Sequence, residues 1–105
     1  MANILTYQQV YKRKGAERMI HELKIFSSFV RPILSGDKTF EIRENDRGFQ
    51  KGDRIQFKVN PDSWTSRNQS VVQEFEHKVY EITYVINGWG LKNGYVVFGI
   101  KEQSE

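Results

Sequence analysis

The sequence predicts a single α+β domain, mainly β, arranged as a small β-barrel with one or two short helices. Three observations carry that prediction. Apolar and polar residues alternate with period two in MIHELKIF, TFEIR, RIQFKV and YVVFGI, and a longer apolar-rich run covers residues 75–86. One apolar stripe at helical spacing, Phe29, Val30, Ile33 and Leu34, lies between the first two of these strands. The connections are polar or glycine-rich, as turns require. Closing such a set of strands on itself removes exposed sheet edges, which makes a barrel the economical arrangement.

Taken in order, Thr6 with Gln9 fits a capping box, and Leu5 with Val10 fits a hydrophobic staple. Tyr7, Val10, Tyr11 and Lys14 then share a helical face, which predicts a helix over about residues 7–14, ended by Gly15. Met19–Phe26 is the first strand. Ser27 or Ser28 caps the helix that follows, Pro32 falls near its first turn, and Gly36 stops it. Lys38 therefore emerges at the mouth of the second strand, Thr39–Arg43, where Phe40 and Ile42 are expected to face the core and Thr39, Glu41 and Arg43 the other side. A polar loop over residues 44–53 carries Phe49 as an apolar anchor and ends in the turn signal Gly52-Asp53. Arg54–Val59 is a strand, residues 60–70 read as a loop containing Trp64, and Phe75–Ile86 reads as a long strand with Tyr80, Ile82, Tyr84 and Ile86 on one face. Asn87–Gly94 turns the chain into the last strand, Tyr95–Ile100.

The chain has 105 residues, which suits one core, and no cysteine. A disulfide framework, a thiolate zinc site and a cysteine nucleophile are excluded. No apolar run reaches the roughly 20 residues of a membrane span, and the start, MANILTYQQVYKRKG, lacks the order of a signal peptide. The expectation is a cytoplasmic monomer without membrane partner. The net charge of +3 resides in the first 18 residues, where Lys12, Arg13, Lys14 and Arg18 face only Glu17; the remainder is balanced. Any nucleic-acid contact must therefore come from local clustering. That division sets residues 1–18 apart as a basic extension, either a packing appendage or a phosphate clamp, and 19–105 as the domain.

Little of the familiar catalytic vocabulary is present. His21 and His77 are the only histidines and lie far apart, so no metal or cofactor is expected. The glycines at 88, 90 and 94 lie between strands, not before a helix, so they form no phosphate loop. Lys38, Glu41 and Arg43 remain. They suit either a solvated strand face with an ion pair or a receptor for a polar planar ligand: the carboxylate accepts N–H groups and the guanidinium offers a planar fork. Trp64 and Trp89, both in predicted loops, either pack over the barrel ends or stack on unpaired bases.

The pattern Gly36-x-Lys38-x-x-Glu41-x-Arg43, directly after a short apolar helix, resembles the signature of the ASCH domain of the PUA-like superfamily. HELKI, LSGDKTFEIRENDRGFQKGDRIQF and GYVVFGI, in that order, resemble a small bacterial and phage subfamily, and the likeness covers residues 19–101. The resemblance implies a barrel with helices at its openings and a cleft for RNA or a modified nucleoside, floored by Lys38, Glu41 and Arg43 and rimmed by Asp46 and Arg47. Some similar small proteins are amidohydrolases of N4-acetylcytidine that use a lysine, a threonine and a glutamate. Lys38 matches their lysine, but Glu41 stands where they carry the threonine. Lys38 and Glu41 would be the catalytic pair if such chemistry occurred, with Glu74 or Glu76 as near candidates for the further glutamate. RNA or nucleotide-ligand binding leads; acyl-nucleoside hydrolysis and a protein-interaction role are the alternatives.

Overall fold

The computed structural model describes residues 19–104. The expected helix at 7–14 and the basic arm of Lys12, Arg13 and Lys14 lie outside the described residues. The elements run β1 (Ile20–Ile25), a 3-10 turn (Ser27–Phe29), α1 (Val30–Ser35), β2 (Phe40–Glu44), β3 (Arg54–Val59), α2 (Ser63–Arg67), α3 (Gln69–His77), β4 (Tyr80–Asn87) and β5 (Tyr95–Glu102). The strands form one curled, half-barrel sheet in the order β1-β3-β4-β5-β2. β1 and β3 are parallel, with Ile20 opposite Arg54; the other neighbours are antiparallel. The fold is thus α+β and mainly β, as the alternation predicts.

Two stretches differ from the sequence reading. Residues 60–70 are not a plain loop: Asp62 accepts from the Thr65 N–H and Thr65 Oγ1 accepts from the Asp62 N–H, a reciprocal cap that starts α2. Residues 75–79 are not strand. Val71, Val72 and Phe75 make a helical stripe that packs α3 on the core, so β4 begins only at Tyr80. Trp64 consequently sits on a helix, packed against the core, with Arg31 over its ring at 5.7 Å. Nor do Ser27 and Ser28 cap α1. Ser27 Oγ donates to Asp62, joining the 3-10 turn to the start of α2.

The core lies between the concave sheet face and the helices, built from Leu23, Ile55, Phe57, Phe75, Ile82 and Phe98 among others. Phe57 stacks on Phe75 at 5.3 Å and meets Tyr80 edge-on at 5.6 Å. Phe49 anchors its loop as predicted, against Phe98 and His21, each at 4.8 Å. In β4 the expected single face of Tyr80, Ile82, Tyr84 and Ile86 breaks at a register shift between Ile82 and Tyr84. Tyr80 and Ile82 are buried; Tyr84 and Ile86 are exposed. Thr83, in the irregularity, lies over Gly99, where a Cβ would come within 2.5 Å of the Thr83 hydroxyl.

One buried polar pair ties β1 to β3. His21 Nε2 lies 2.8 Å from Asp53 Oδ2, and both side chains are buried. Asp53 also accepts from the Met19 and Gln50 N–H groups. Removing the carboxylate strands these donors in a dry site. Asp53→Ala is therefore expected to lower stability by about 3–5 kcal/mol in urea unfolding.

Burial, reinforced by the charges of Glu102 and Glu74, pushes the Tyr80 hydroxyl up to about 12. Below the ordinary value of 10 it is protonated in folded and unfolded chains alike, and its contribution is intact. Between those two values the unfolded chain loses the proton and the folded chain keeps it, so stability falls as pH rises, by about 2–3 kcal/mol in all. Tyr80→Phe should flatten that alkaline loss, measured as unfolding free energy across the same range.

Candidate functional site

The sheet leaves β1 and β2 as its two edges, facing each other across an open seam. Ladder geometry settles which backbone groups point into it. Thr39 O accepts from Ile100 N and Asn45 N donates to Gly94 O, so odd-numbered residues of β2 turn their backbone groups to β5 and even-numbered ones to the seam. On β1, Met19 and Ile25 carbonyls serve β3, which turns those of Glu22 and Lys24 to the seam. Arg43 Nη2 donates to Lys24 O at 2.9 Å and Arg47 Nη1 to Glu22 O at 2.7 Å. Two guanidinium groups thus bridge the edges where no backbone pairing does.

The faces of β2 are the reverse of those expected. Phe40 and Ile42 are 42% and 53% exposed, whereas Glu41 is 4% exposed. Register gives the reason. Glu41 pairs with Phe98 and Arg43 with Val96, and directly paired residues share a face. Val96, Phe98 and Ile100 point into the core, so Glu41 must follow them. A carboxylate tolerates that position only when charge and hydrogen bonds compensate it. Here Lys38 Nζ donates to one oxygen, and Arg43 Nε and Nη2 reach the other at 2.9 and 2.8 Å.

Lys38 is aimed by the end of α1. Gly36 takes the left-handed conformation at φ 87°, and the Lys38 N–H returns to Pro32 O at 2.9 Å. Its ammonium also donates to Phe40 O at 2.7 Å and sits 4.8 and 5.1 Å from the ring centres of Phe29 and Phe40. The Lys38 and Arg43 side chains remain 17% and 24% exposed.

These groups line a recess of about 570 Å³ in the seam. Phe26, Phe29, Phe40 and Ile42 give it apolar walls; Lys24, Lys38, Glu41, Arg43 and Asn60 give it polar ones. Its size suits one small ligand, and its mixed lining suits a ring with a polar end. The sequence-derived set divides accordingly. Lys38, Glu41 and Arg43 meet in the recess. Asp46 is exposed and Arg47 holds the Glu22 carbonyl, and neither lines it. Trp64 lies on α2 and Trp89 on the β4–β5 hairpin, both outside it. Trp89 is 89% exposed and, at φ 55°, occupies with Gly90 the centre of a tight turn closed by Leu91 N to Gly88 O. Glu74 and Glu76 belong to α3, and Glu76 accepts from Val59 N at 2.8 Å. Sequence reasoning missed Phe26, Phe29, Lys24 and Asn60. The motif points only along β2, and nothing local to β1 says that it lies across the seam.

A curled five-stranded sheet with an ion-paired recess in its open seam defines a small α+β half-barrel protein. The chain belongs to the DUF3850 family, a domain of unknown function, whose match covers residues 20–100. No curated protein matches it.

Glu41→Ala removes the one acceptor shared by Lys38 and Arg43 and should cost about 1.5–3 kcal/mol of stability. Ile42→Ser, on the outward face, should stay within about 0.5 kcal/mol. Urea denaturation of the two variants tests the inverted faces directly.

Proposed function

We propose that this protein binds an RNA- or nucleotide-derived ligand in the recess at Lys38, Glu41 and Arg43, in the manner that its resemblance to ASCH and PUA-like domains implies. The carrying observation is the buried Glu41 carboxylate with its two cations, set in a recess with phenylalanine walls. A solvated strand face has no need of a buried acid. The rings offer apolar surface to a base, and the cations offer N–H groups to its oxygens. Glu41 acts by holding Lys38 and Arg43, since both its oxygens are already engaged.

The same pairing bears on acyl-nucleoside hydrolysis. Water activation needs a carboxylate free to take a proton, and Glu41 faces two cations. The lysine–threonine–glutamate set of the similar hydrolases also lacks its threonine at Glu41. Binding without turnover is the expected behaviour.

A panel of nucleosides, mononucleotides, N4-acetylcytidine and short RNAs, read by calorimetry with product analysis, tests both statements. Arg43→Ala should weaken binding by about 1.5–3 kcal/mol. Unchanged affinity in that variant would remove the recess from consideration, and robust release of acetate by the parent would replace binding by hydrolysis.

A further inference from the structure

We propose that the recess takes a single nucleotide unit by its terminal phosphate, with Arg43, Lys38 and Lys24 receiving the phosphate and the base resting against Phe26 and Ile42. The inference rests on the nucleotide-ligand reading above and adds which end of the ligand enters.

The donor inventory is the first support. Lys38 spends two of its three protons on Phe40 O and Glu41, leaving one. Arg43 spends Nε and Nη2 on Glu41 and Lys24 O, which leaves Nη1 with two N–H groups and no partner among the described residues. Lys24 is exposed beside them and, among the described residues, engages only through its carbonyl. The acceptors around the cations are each engaged, and Asn60 alone adds a carboxamide to the lining. Both Glu41 oxygens are taken, as are the carbonyls of Lys24 and Phe40. The charged lining therefore offers mainly N–H groups: Lys38 and Arg43 hold the one carboxylate and Lys24 adds a third cation to the recess. An acceptor-only anion matches these cations better than the amino edge of a base does.

The shape of the seam is the second support. The Arg43 and Arg47 bridges close it beyond the recess. An internal phosphodiester continuing along the seam would run into these bridges; a terminal phosphate need not. Phe26, on the β1 side, and Ile42, on the β2 side, are both exposed at the recess and give a ring two apolar surfaces.

The test compares uridine and adenosine 5′-monophosphates with their nucleosides and with inorganic phosphate, by calorimetry at two salt concentrations. The monophosphates should bind at least about tenfold more tightly than the nucleosides, with the advantage shrinking at high salt. Arg43→Gln should remove most of that advantage. Lys24→Gln, at an exposed position that leaves the Glu41 network intact, should reduce it severalfold, which keeps the test valid if the Arg43 variant fails to fold. Nucleosides binding as tightly as monophosphates would overturn this inference and leave the nucleotide-ligand reading standing. Inorganic phosphate binding as tightly as the monophosphates would also overturn it, since the ring would then contribute nothing. No binding by nucleosides, monophosphates or phosphate would overturn this inference, and the same silence from the short RNAs of the panel above would overturn the wider reading as well.

Discussion

A carboxylate buried at the open edge of a sheet is the constraint around which this structure is arranged. A carboxylate on the core side of β2 needs hydrogen-bonding partners and countercharge. Glu41 has them because α1 ends where Lys38 can reach it and because Arg43 follows two residues later on the same strand face. Arg43 then has a guanidinium end to spare, which extends to the Lys24 carbonyl and draws β1 toward β2. One ionic cluster thus fixes the side chains of the recess and the width of the seam that contains it.

The seam is also where the half-barrel differs from a closed one. A closed barrel would pair β1 with β2 by backbone hydrogen bonds and leave no room for a ligand. Bridging by two arginine side chains keeps the strands apart and still satisfies carbonyls on the β1 edge. Covered edge groups are poorer templates for another chain's strand. The aromatic walls arise from the same gap, since Phe26 and Phe40 would be at a strand junction if the sheet closed.

Much of this was legible in the sequence, and the exceptions have physical reasons. β1, β3 and β5 alternate cleanly because one face of each is buried, and Phe49 announced itself as the only large apolar residue in its loop. Alternation in β2 identified two faces but not which was inward. Hydrophobicity pointed to Phe40 and Ile42, while pairing with Phe98 and Val96 chose Glu41 and Arg43. That choice depends on a strand more than fifty residues away. The α3 helix was missed because its apolar stripe is short and its last turn runs into a strand-like segment, and no side-chain cap marks its start; for α2 the Asp62–Thr65 cap was the available signal. Of the candidate site, the motif on β2 was legible, but Lys24, Phe26 and Asn60 come from segments that only the fold brings to the seam.

The strand order also has a consequence for how the chain folds. β4 and β5 are joined by a tight turn and can pair from local contacts, whereas β2, among the described residues, pairs with β5 alone and must wait for residues from Tyr95 onward. Closing that long loop carries an entropic cost that local pairing does not. The recess therefore belongs to the late stages of folding. A chain emerging from the ribosome would hold Lys38, Glu41 and Arg43 long before it had a strand to dock them against, so the three charges stay solvated and inert until synthesis of the domain is nearly finished.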